Sequence, residues 1–333
     1  MDKVKESNME LYFEEICKNI IDQAKDKDVL LLISGGVDST VVAALLLKSL
    51  DPKKVHLMYI DTGLMRKNES AEIENNLKKL GAENLYLIDA SKKFLDALKG
   101  ITDPETKRKI IGDLFITVHQ EELKRAGIPD DAMLAQGTIY ADLIESGKGD
   151  GKDSGQAQVI KSHHNVKSPL VEEKRKRGEI IEPLAQLYKD KVRELGKAAG
   201  VNPEIIARHP FPGPGLAVRI IGEVTEEKCN ILREADYIYI SELKKRGLYD
   251  KIWQAFPILL PIRSVGIKGN TRKYGYVLAL RAITSKDGMT ADVFPMEMKD
   301  LLEISSLITT SVPDIGRVVY DVSNKPPATI EWE

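Results

Sequence analysis

Short apolar runs alternate with helical patterns through the first half of the chain. Residues 29–33, 55–60 and 85–88 are apolar runs, each about the length of one strand. Residues 41–47 and 71–80, which follow the first two runs, carry Ala, Leu and other apolar positions at helical spacing. Buried strands of a parallel sheet have such unbroken runs because helices cover both faces of the sheet. The pattern predicts a doubly wound α/β sheet, in which ligands bind where the strands end.

A longer helix and one further strand complete this half. Asp103 and Pro104 are typical of an N-cap and a first helical residue. The apolar positions that follow share one helical face: Ile110, Ile111, Leu114, Phe115 and Val118. Residues 133–135 are a strand candidate. Residues 147–158 are rich in Gly, Asp and Lys without an apolar period, and we expect them to form a mobile loop.

A segment rich in Pro and Gly, residues 209–215, separates the two halves, because neither a helix nor a central strand holds three prolines in seven residues. We place the domain boundary just before it, at 1–206 and 207–333. The pattern beyond it predicts a small α+β unit of order β-α-β-β-α-β. Its predicted elements are residues 216–221, 226–246, 256–262, 274–283, 296–309 and 317–322.

Composition narrows the class of protein. A chain of 333 residues suggests two domains, and 49 basic against 51 acidic residues leave a net charge of -2. That balance argues against a general nucleic-acid binder. No apolar run is long enough for a membrane span or a signal peptide. Cys17 and Cys229 are far apart, which excludes a CxxC metal knuckle and a disulfide scaffold and suits the cytoplasm.

The turn after the first strand has the composition of a phosphate-binding loop. Its glycines let the backbone curl around an anion, its hydroxyls can donate, and the following helix supplies N–H groups. It lacks the lysine of a GxxxxGK[ST] loop, and the chain has no GxGxxG fingerprint. The residues expected to bind a phosphate group are Ser34, Gly35, Gly36, Val37, Asp38, Ser39 and Thr40.

Asp38 is the unusual member of this loop, because a carboxylate repels phosphates unless a cation lies between them. We therefore predict Mg²⁺ at Asp38, with a catalytic role for that residue. The alternative is an ordinary strand–helix turn in which Asp and Ser only cap the helix. Asp61 and Gly137, at the ends of two other strands, are further candidates for a ligand site at the same edge of the sheet. For Asp61, plain turn chemistry is an equal alternative; Gly137 would let a ribose or base approach the backbone.

Lys161, His163 and His164 follow the expected mobile loop and are candidate catalytic residues on a lid. A lysine can neutralise the charge that develops on a phosphate, and a histidine can donate to phosphate or manage a proton. Nothing in their spacing supports a zinc site. A structural role for the histidine pair is the alternative.

Two basic segments and the C-terminal residues are candidates for a second anion site. Residues 107–109 place three cations in the first turns of a helix, where the macrodipole disfavours them. A solvated basic turn is the alternative. Around the Pro/Gly segment, the candidates are Arg208, His209, Gly213 and Gly215, against the alternative of a stiff linker. Residues 325–333, here called the tail, would ordinarily be frayed.

Residues 34–39, SGGVDS, resemble the pyrophosphate loop of the N-type ATP pyrophosphatases. The resemblance extends to GMP synthetase, from near residue 29 to the last residue. The segments that carry it are Asp103-Pro104, Lys107 to Gly112, Ala135 to Tyr140, Ile160 to Asn165, Arg208 to Leu216 and Lys325 to Glu333. It implies that ATP activates XMP as adenyl-XMP and that ammonia then displaces AMP. NAD synthetase and tRNA-modifying enzymes of the same superfamily are the alternatives.

This resemblance implies that residues 34–40, Asp61 and Gly137 bind ATP, and it implies roles for several other candidates. Arg108 and Lys325 would contact the XMP phosphate, Glu331 the base or ribose, and Ile330 would lie beside them. GMP synthetases often carry a glutamine amidotransferase domain of about 200 residues, and neither cysteine here lies in a Gly-x-Cys-x-Gly elbow. A separate glutaminase subunit would therefore supply ammonia. The apolar strand at residues 256–262 needs cover on both faces, so we also expect a homodimer through the C-terminal unit.

Overall fold

The computed structural model describes residues 2–140, 169–268, 270–286 and 288–333. They fall into two compact units. Unit 1 comprises residues 1–61, 69–89 and 115–208, and unit 2 comprises residues 62–68, 90–114 and 209–333. The change of unit at residues 208 and 209 lies close to the predicted boundary, whereas two earlier segments of the chain are part of unit 2.

Unit 1 is built on a five-stranded parallel sheet of order β3-β2-β1-β4-β5. Its strands are β1 (Val29–Ile33), β2 (Val55–Asp61), β3 (Asn84–Asp89), β4 (Met133–Ala135) and β5 (Ile180–Ile181). The apolar runs predict the first four of these strands to within one residue at either end. The central strands β1 and β2 are almost wholly buried, as expected for strands with helices on both faces. The predicted doubly wound sheet is confirmed.

Ten α-helices lie within the described residues. They are α1 (Asp2–Ala24), α2 (Val37–Ser49), α3 (Glu69–Lys79), α4 (Ser91–Leu98), α5 (Pro104–Ala126), α6 (Pro169–Lys176), α7 (Lys189–Ala198), α8 (Pro203–Ile206), α9 (Glu226–Lys245) and α10 (Met298–Ser311). Asp103 caps α5 as predicted, because its carboxylate accepts the Thr106 N–H at 2.7 Å. None of the described helices is long and apolar enough to cross a membrane.

Unit 2 contains a long antiparallel hairpin, β6 (Gln254–Lys268) and β7 (Thr271–Thr284). Two shorter strands pair with β7: β8 (Asp292–Val293) is antiparallel to it and β9 (Ile315–Tyr320) is parallel. Helix α9 packs on β6, and α10 packs on β9. The predicted α+β unit is confirmed as a separate sheet with its own helices, although its hairpin is longer than the apolar runs suggest.

The predicted strand at residues 216–221 is wrong. Residues 215–219 form a 3-10 helix, and only Ile220 makes a bridge, to Leu259 of β6. Gly215 has a φ of +61°, which starts a turn rather than an extended segment. The Leu216 N–H then donates to the Leu64 carbonyl at 2.8 Å, so the backbone is paired without a strand.

Candidate functional site

The turn between β1 and α2 has the shape that its glycines predict. Gly35 has a φ of +79°, and a Cβ at this position would lie 2.5 Å from Ile73 Cδ1. Gly36 is extended and forms the N-cap of α2. Residue 35 must be glycine, because the backbone angle is left-handed and there is no room for a Cβ. The loop therefore brings backbone N–H groups to the carboxyl edge of the sheet, at a helix N-terminus.

The three hydroxyl groups of this loop hold it together internally. The Gly36 N–H donates to Ser34 Oγ at 3.3 Å, while Ser39 Oγ and Thr40 Oγ1 donate to the Gly36 carbonyl at 3.2 and 2.9 Å. Val37 is buried. The first N–H groups of a helix have no partner within it, so an anion at this loop would be met by these donors.

Asp38 has a cationic partner that the sequence does not reveal. The Lys189 ammonium, at the start of α7, donates to Asp38 Oδ2. The other carboxylate oxygen, Oδ1, is buried and has no hydrogen-bond partner among the described residues. The two residues are 151 positions apart, and no local pattern links them. The structure therefore corrects our premise that this carboxylate is uncompensated, and it adds Lys189 to the loop.

Gly137 lies close to the backbone of the phosphate loop. A Cβ at Gly137 would lie 3.2 Å from Ser39 N and 3.3 Å from the carbonyl carbon of Asp38. The backbone of the phosphate loop therefore lies against this glycine, and contact of Gly137 with a ribose or base stays a prediction. Gly137 supports the position of Asp38 from the end of β4.

Asp61 lies at the end of β2 on the same edge of the sheet. Its carboxylate accepts the Ser70 hydroxyl at 2.5 Å, and Ser70 Oγ lies 3.1 Å from the Tyr59 hydroxyl. Tyr59 is buried, and burial raises its pKa. These bonds favour turn chemistry at the strand end, and ATP contact by Asp61 stays a prediction. Lys161, His163, His164 and the loop at residues 147–158 lie outside the described residues.

The tail is not frayed: it is packed within unit 2, held by three fully buried cationic side chains. The first is Lys107, whose ammonium donates to the carbonyls of Ala217 and Ile220 at 3.2 and 2.8 Å and to the Glu333 carboxylate. Burial lowers the pKa of Lys107, and Glu333 opposes that shift. Lys107 is therefore not part of a solvated turn.

Arg108, on the same turn, donates to the backbone oxygen of Glu333. The anion beside this basic turn is thus the chain's own tail. We expected Arg108 to contact the XMP phosphate; in the structure it contacts the tail that carries the other candidate residues.

Arg219 is the second buried cation of the tail. Its Nε and Nη2 donate to the two carboxylate oxygens of Glu331 at 3.1 and 2.9 Å. Gln254 Nε2 donates to the same carboxylate at 3.0 Å. The guanidinium also lies over the rings of Phe256 and Phe211, at 4.1 and 5.0 Å from their centroids. Bidentate pairs of this kind are strong and directional, so Glu331 is held in one orientation.

Arg281 is the third. It donates to the carbonyls of Ile330 and Thr329, each at 2.8 Å, and to Asp321 at 2.6 Å. The Ile330 side chain packs against the cluster of Phe256, Ile258 and Ala279. Lys325 Nζ donates to the Gly288 carbonyl at 2.8 Å. The tail therefore docks in its own chain.

Asp236 on α9 is a candidate that the sequence pattern missed. Its side chain is buried, and Oδ1 has no hydrogen-bond partner among the described residues. Arg66 Nε lies 3.7 Å from Oδ2. Burial raises the pKa of this carboxyl, and repulsion by Glu331 adds to the rise, while Arg66 and Arg219 oppose it. A buried polar atom without a partner is a common mark of a binding site. The sequence signal that could have identified Asp236 is an Asp at a position of the helix where the pattern calls for an apolar residue.

The Pro/Gly segment supplies mainly structural contacts. His209 is buried and stacks on Tyr249 at 3.8 Å between centroids. Its Nδ1 accepts the Ala255 N–H at 3.2 Å, and Nε2 lies 3.0 Å from the Tyr249 carbonyl. Both ring nitrogens are thus engaged, which favours a structural role over phosphate contact.

The remaining candidates of this segment are not brought together. Gly215 faces the backbone of Leu64, where a Cβ would overlap the Leu64 carbonyl oxygen. Gly213 is exposed. Arg208 is part of unit 1, where it pairs with Glu72 and lies 3.8 Å from Glu69. Within unit 2, the tail brings Arg108, Ile330 and Glu331 into one set of contacts. Arg208 belongs to unit 1 and is not part of that set.

Two family models match the chain. The model described as "NAD synthase" matches residues 11–108, and the model described as "GMP synthase C terminal domain" matches residues 241–332. A solved structure of NMN synthetase from Francisella tularensis covers 68% of this chain and 83% of its own, with a TM-score of 0.43 and 15% identity. That likeness is too weak to support an argument.

Several bacterial proteins are much more similar. The chain is 52% identical over 319 residues to GMP synthase (glutamine-hydrolyzing) of Bdellovibrio bacteriovorus, covering 94% of the chain and 61% of that protein. It is 52% identical to the protein of that name from Thermotoga petrophila, covering 96% of the chain and 62% of the relative. It is 51% identical to the protein of that name from Wolbachia pipientis, covering 98% of the chain and 61% of the relative. The chain thus spans about three fifths of the length of these relatives.

Proposed function

The chain is homologous to GMP synthases over nearly its whole length, and on that premise we propose that it catalyses the ATP-dependent amination of XMP to GMP. This makes it the synthetase part of a GMP synthase (glutamine-hydrolyzing), a carbon–nitrogen ligase of purine nucleotide biosynthesis. The observation that carries the proposal is the phosphate loop of residues 34–40, with Asp38 at the start of α2.

The reaction needs activation because the C2 oxygen of XMP is a poor leaving group. In the first step this oxygen attacks the α-phosphorus of ATP, and the bond to pyrophosphate breaks. The xanthine ring gives up one N–H proton in this step. Ammonia then adds at C2 of adenyl-XMP, AMP leaves with the oxygen, and the added nitrogen loses one proton to give the amino group of GMP. The loop holds the β- and γ-phosphates with N–H groups, which keeps the α-phosphate in reach of the second substrate. Lys161, His163 and His164 stay as predicted catalytic residues.

Mg²⁺ is the metal that we propose for this loop. The fit rests on Asp38, because its Oδ1 is buried without a hydrogen-bond partner among the described residues and a hard cation prefers carboxylate oxygen. No group of three or more His, Cys, Asp or Glu side chains in the described part of the chain could hold a metal. That suits an ion held by one carboxylate and by phosphate oxygens. Bound there, Mg²⁺ would neutralise charge on the phosphates.

Unit 2 is the proposed XMP site. In the tail, the Glu331 carboxylate accepts hydrogen bonds from Arg219 and Gln254. Asp236 Oδ1, which has no hydrogen-bond partner among the described residues, is a further acceptor in unit 2. Xanthine carries ring N–H donors that carboxylates can accept, and a phosphate needs a cation such as Lys325. We retain Glu331, Ile330 and Lys325 as XMP-binding residues and add Asp236 and Gln254.

Ammonia would come from a separate glutamine amidotransferase subunit, and the protein would work in the cytoplasm. Cys229 on α9 is poorly suited to hydrolyse glutamine, because burial raises the pKa of its thiol to about 11. A thiol so protonated is a poor nucleophile for glutamine.

A homodimer through unit 2 is the proposed assembly. The outer part of the β6–β7 hairpin exposes apolar side chains, with Val265 and Tyr274 paired across the strands. Their exposed fractions are 46% and 60%, and Ile267 reaches 83%. Exposed apolar patches of this kind are typical of interfaces.

The proposed activity is tested by pyrophosphate release from ATP with ammonium and Mg²⁺. XMP, nicotinic acid adenine dinucleotide and aspartate are compared as the second substrate. We expect release with XMP alone, accompanied by GMP in equal amount. Release only with nicotinic acid adenine dinucleotide would identify NAD synthetase, whose family model also matches part of the chain.

A further inference from the structure

Glu69, the first residue of α3, lies against the phosphate loop. Its side chain is buried, and its Oε1 would lie 3.5 Å from a Cβ at Gly35. Ile73, one turn further along the same helix, is the other close neighbour of that glycine. The loop that is proposed to hold phosphates therefore has a buried carboxylate beside it.

Arg208 is a cationic neighbour of this carboxylate. Its Nη1 lies 3.8 Å from Glu69 Oε1, and its Nη2 donates to Glu72, three residues further along α3. The Glu69 side chain is only 7% exposed, whereas that of Glu72 is 53% exposed. Water screens the charge of an exposed side chain far better than that of a buried one. Glu69 is therefore the carboxylate whose effect on its surroundings depends more on Arg208.

The charges at this end of β2 act on one another. Burial raises the pKa of Tyr59, and the negative charges of Glu69 and Asp61 add to the rise, while the hydrogen bond to Ser70 and the positive charge of Arg208 oppose it. Both carboxylates and the guanidinium thus lie near the same buried hydroxyl, at the edge of the sheet where the phosphate loop begins.

We propose that Arg208 is a positioning residue, which holds and neutralises Glu69 and thereby sets the affinity of the phosphate loop for anions. It acts through the carboxylate and does not itself contact phosphate. An uncompensated charge on Glu69 would repel an anion on the loop through surroundings that screen it poorly. This inference rests on the proposed function, which places the β- and γ-phosphates at residues 34–40. It gives Arg208 a different role from the XMP contact that the sequence suggested.

A double-mutant cycle on the binding of inorganic pyrophosphate tests the inference. Titration calorimetry in the presence of Mg²⁺ compares wild type with Arg208→Gln, Glu69→Gln and the variant that carries both changes. Arg208→Gln leaves Glu69 charged and should weaken pyrophosphate by roughly tenfold to a hundredfold. Glu69→Gln should bind it at least as tightly as wild type does. The double variant lacks both charges and should return to within about threefold of wild type.

Lys78→Met is the matched control, because Lys78 is an exposed lysine that pairs with Glu74 on the same helix at 2.6 Å. It should bind pyrophosphate as wild type does. Adenosine binding should be unchanged in every variant, since adenosine carries no phosphate. The KM for ATP in XMP-dependent release of pyrophosphate should follow the same cycle, with a smaller change in kcat. A purely structural role of the pair would instead lower the affinities for adenosine and pyrophosphate together.

The inference is overturned if Arg208→Gln binds pyrophosphate like wild type, whether or not it loses XMP. It is also overturned if the double variant stays as weak as Arg208→Gln, which would indicate direct contact between Arg208 and phosphate. Weaker binding by Glu69→Gln would overturn it as well, and this measurement does not depend on the folding of the arginine variants. If the wild type neither binds pyrophosphate nor releases it with XMP, the proposed function fails and the inference fails with it.

Discussion

At the scale of single residues, the carboxylate of Asp38 has two oxygens in different surroundings. One oxygen contacts Lys189 and the other is buried without a partner among the described residues. Asp38→Asn keeps the shape and removes the charge. We expect it to abolish XMP-dependent pyrophosphate release, because a neutral amide is a weak ligand for Mg²⁺.

The fold should survive this change, and the thermal midpoint is the control. The substitution leaves the Lys189 ammonium half-exposed, where water can solvate it. Turnover near the wild-type rate, with the same dependence on Mg²⁺, would show that Asp38 is not the metal ligand.

His119 on α5 makes the stability of unit 1 depend on pH. Its side chain is buried, and burial lowers its pKa to about 4. Between that value and the ordinary 6.5, the unfolded chain binds a proton that the folded chain does not, so stability falls as pH falls through this window. The full effect is on the order of 3 kcal/mol.

His119→Leu should remove this contribution, since leucine has a similar size and does not titrate. The thermal midpoint, measured at pH 7 and at pH 5, should fall less in the variant than in wild type. Carboxylates titrate in both proteins, so the comparison isolates the histidine. An equal fall in the two proteins would show that His119 is not the source.

At the scale of elements, the tail depends on cations from distant parts of unit 2. Breaking a buried ion pair by removing one partner costs about 3–5 kcal/mol. Lys107→Met takes away the partner of the Glu333 carboxylate and the donor of two carbonyl groups. We expect the tail to detach and XMP to bind at least tenfold more weakly, while ATP binding to unit 1 persists.

Lys109→Met is the matched control, because Lys109 is an exposed lysine on the same helical turn. Calorimetry with XMP and with ATP, together with limited proteolysis of the tail, measures the effect. If Lys107→Met keeps its XMP affinity, or loses ATP and XMP equally, the tail does not build the XMP site.

The sequence predicted an element correctly where a single feature, such as an unbroken apolar run, determines its structure. The strand at residues 29–33 was predicted to the residue because a buried parallel strand must be apolar throughout. Residues 216–221 are also apolar apart from Arg219, but a left-handed Gly215 turns the backbone into a 3-10 helix. The difference is a backbone angle, which an apolar pattern does not encode.

The candidate site shows the same limit. The loop of residues 34–40 was predicted because its glycines, hydroxyls and helix start are consecutive. Lys189, Arg219 and Asp236 act through partners far away in the chain, and their chemistry depends on burial. The anion beside Lys107 and Arg108 was expected to be a ligand and is the tail. Long-range charge pairs of this kind follow from the folded structure alone.

At the scale of the whole molecule, the proposed function predicts a division between ammonia use and glutamine use. Of the two thiols, Cys229 is fully buried with a raised pKa, and Cys17 lies on α1 without an elbow motif. The purified chain should make GMP from XMP with ammonium and not with glutamine. Product formation, followed by chromatography with each nitrogen source, checks this. Glutamine-dependent synthesis by the chain alone would contradict it.

Assembly is the remaining property of the whole molecule, and the hairpin of β6 and β7 is where we expect it. Val265, Ile267 and Tyr274 lie on its outer part with exposed fractions of 46%, 83% and 60%. Val265 faces Tyr274 across the strands, and Ile267 faces Arg272 two pairs further on, so the three share one face. An apolar face on a long exposed hairpin associates unless another surface covers it.

Ile267→Asp should therefore shift the protein from dimer to monomer in light scattering at micromolar concentration, because a carboxylate in an apolar interface loses its hydration. Met298→Asp is the control: Met298 is 68% exposed on α10, away from the hairpin strands, and its replacement should leave the dimer intact. The tail contacts residues of its own chain, so the monomeric variant should keep its tail docked against proteolysis. A dimer that persists in Ile267→Asp and dissociates in Met298→Asp would place the interface on α10 instead.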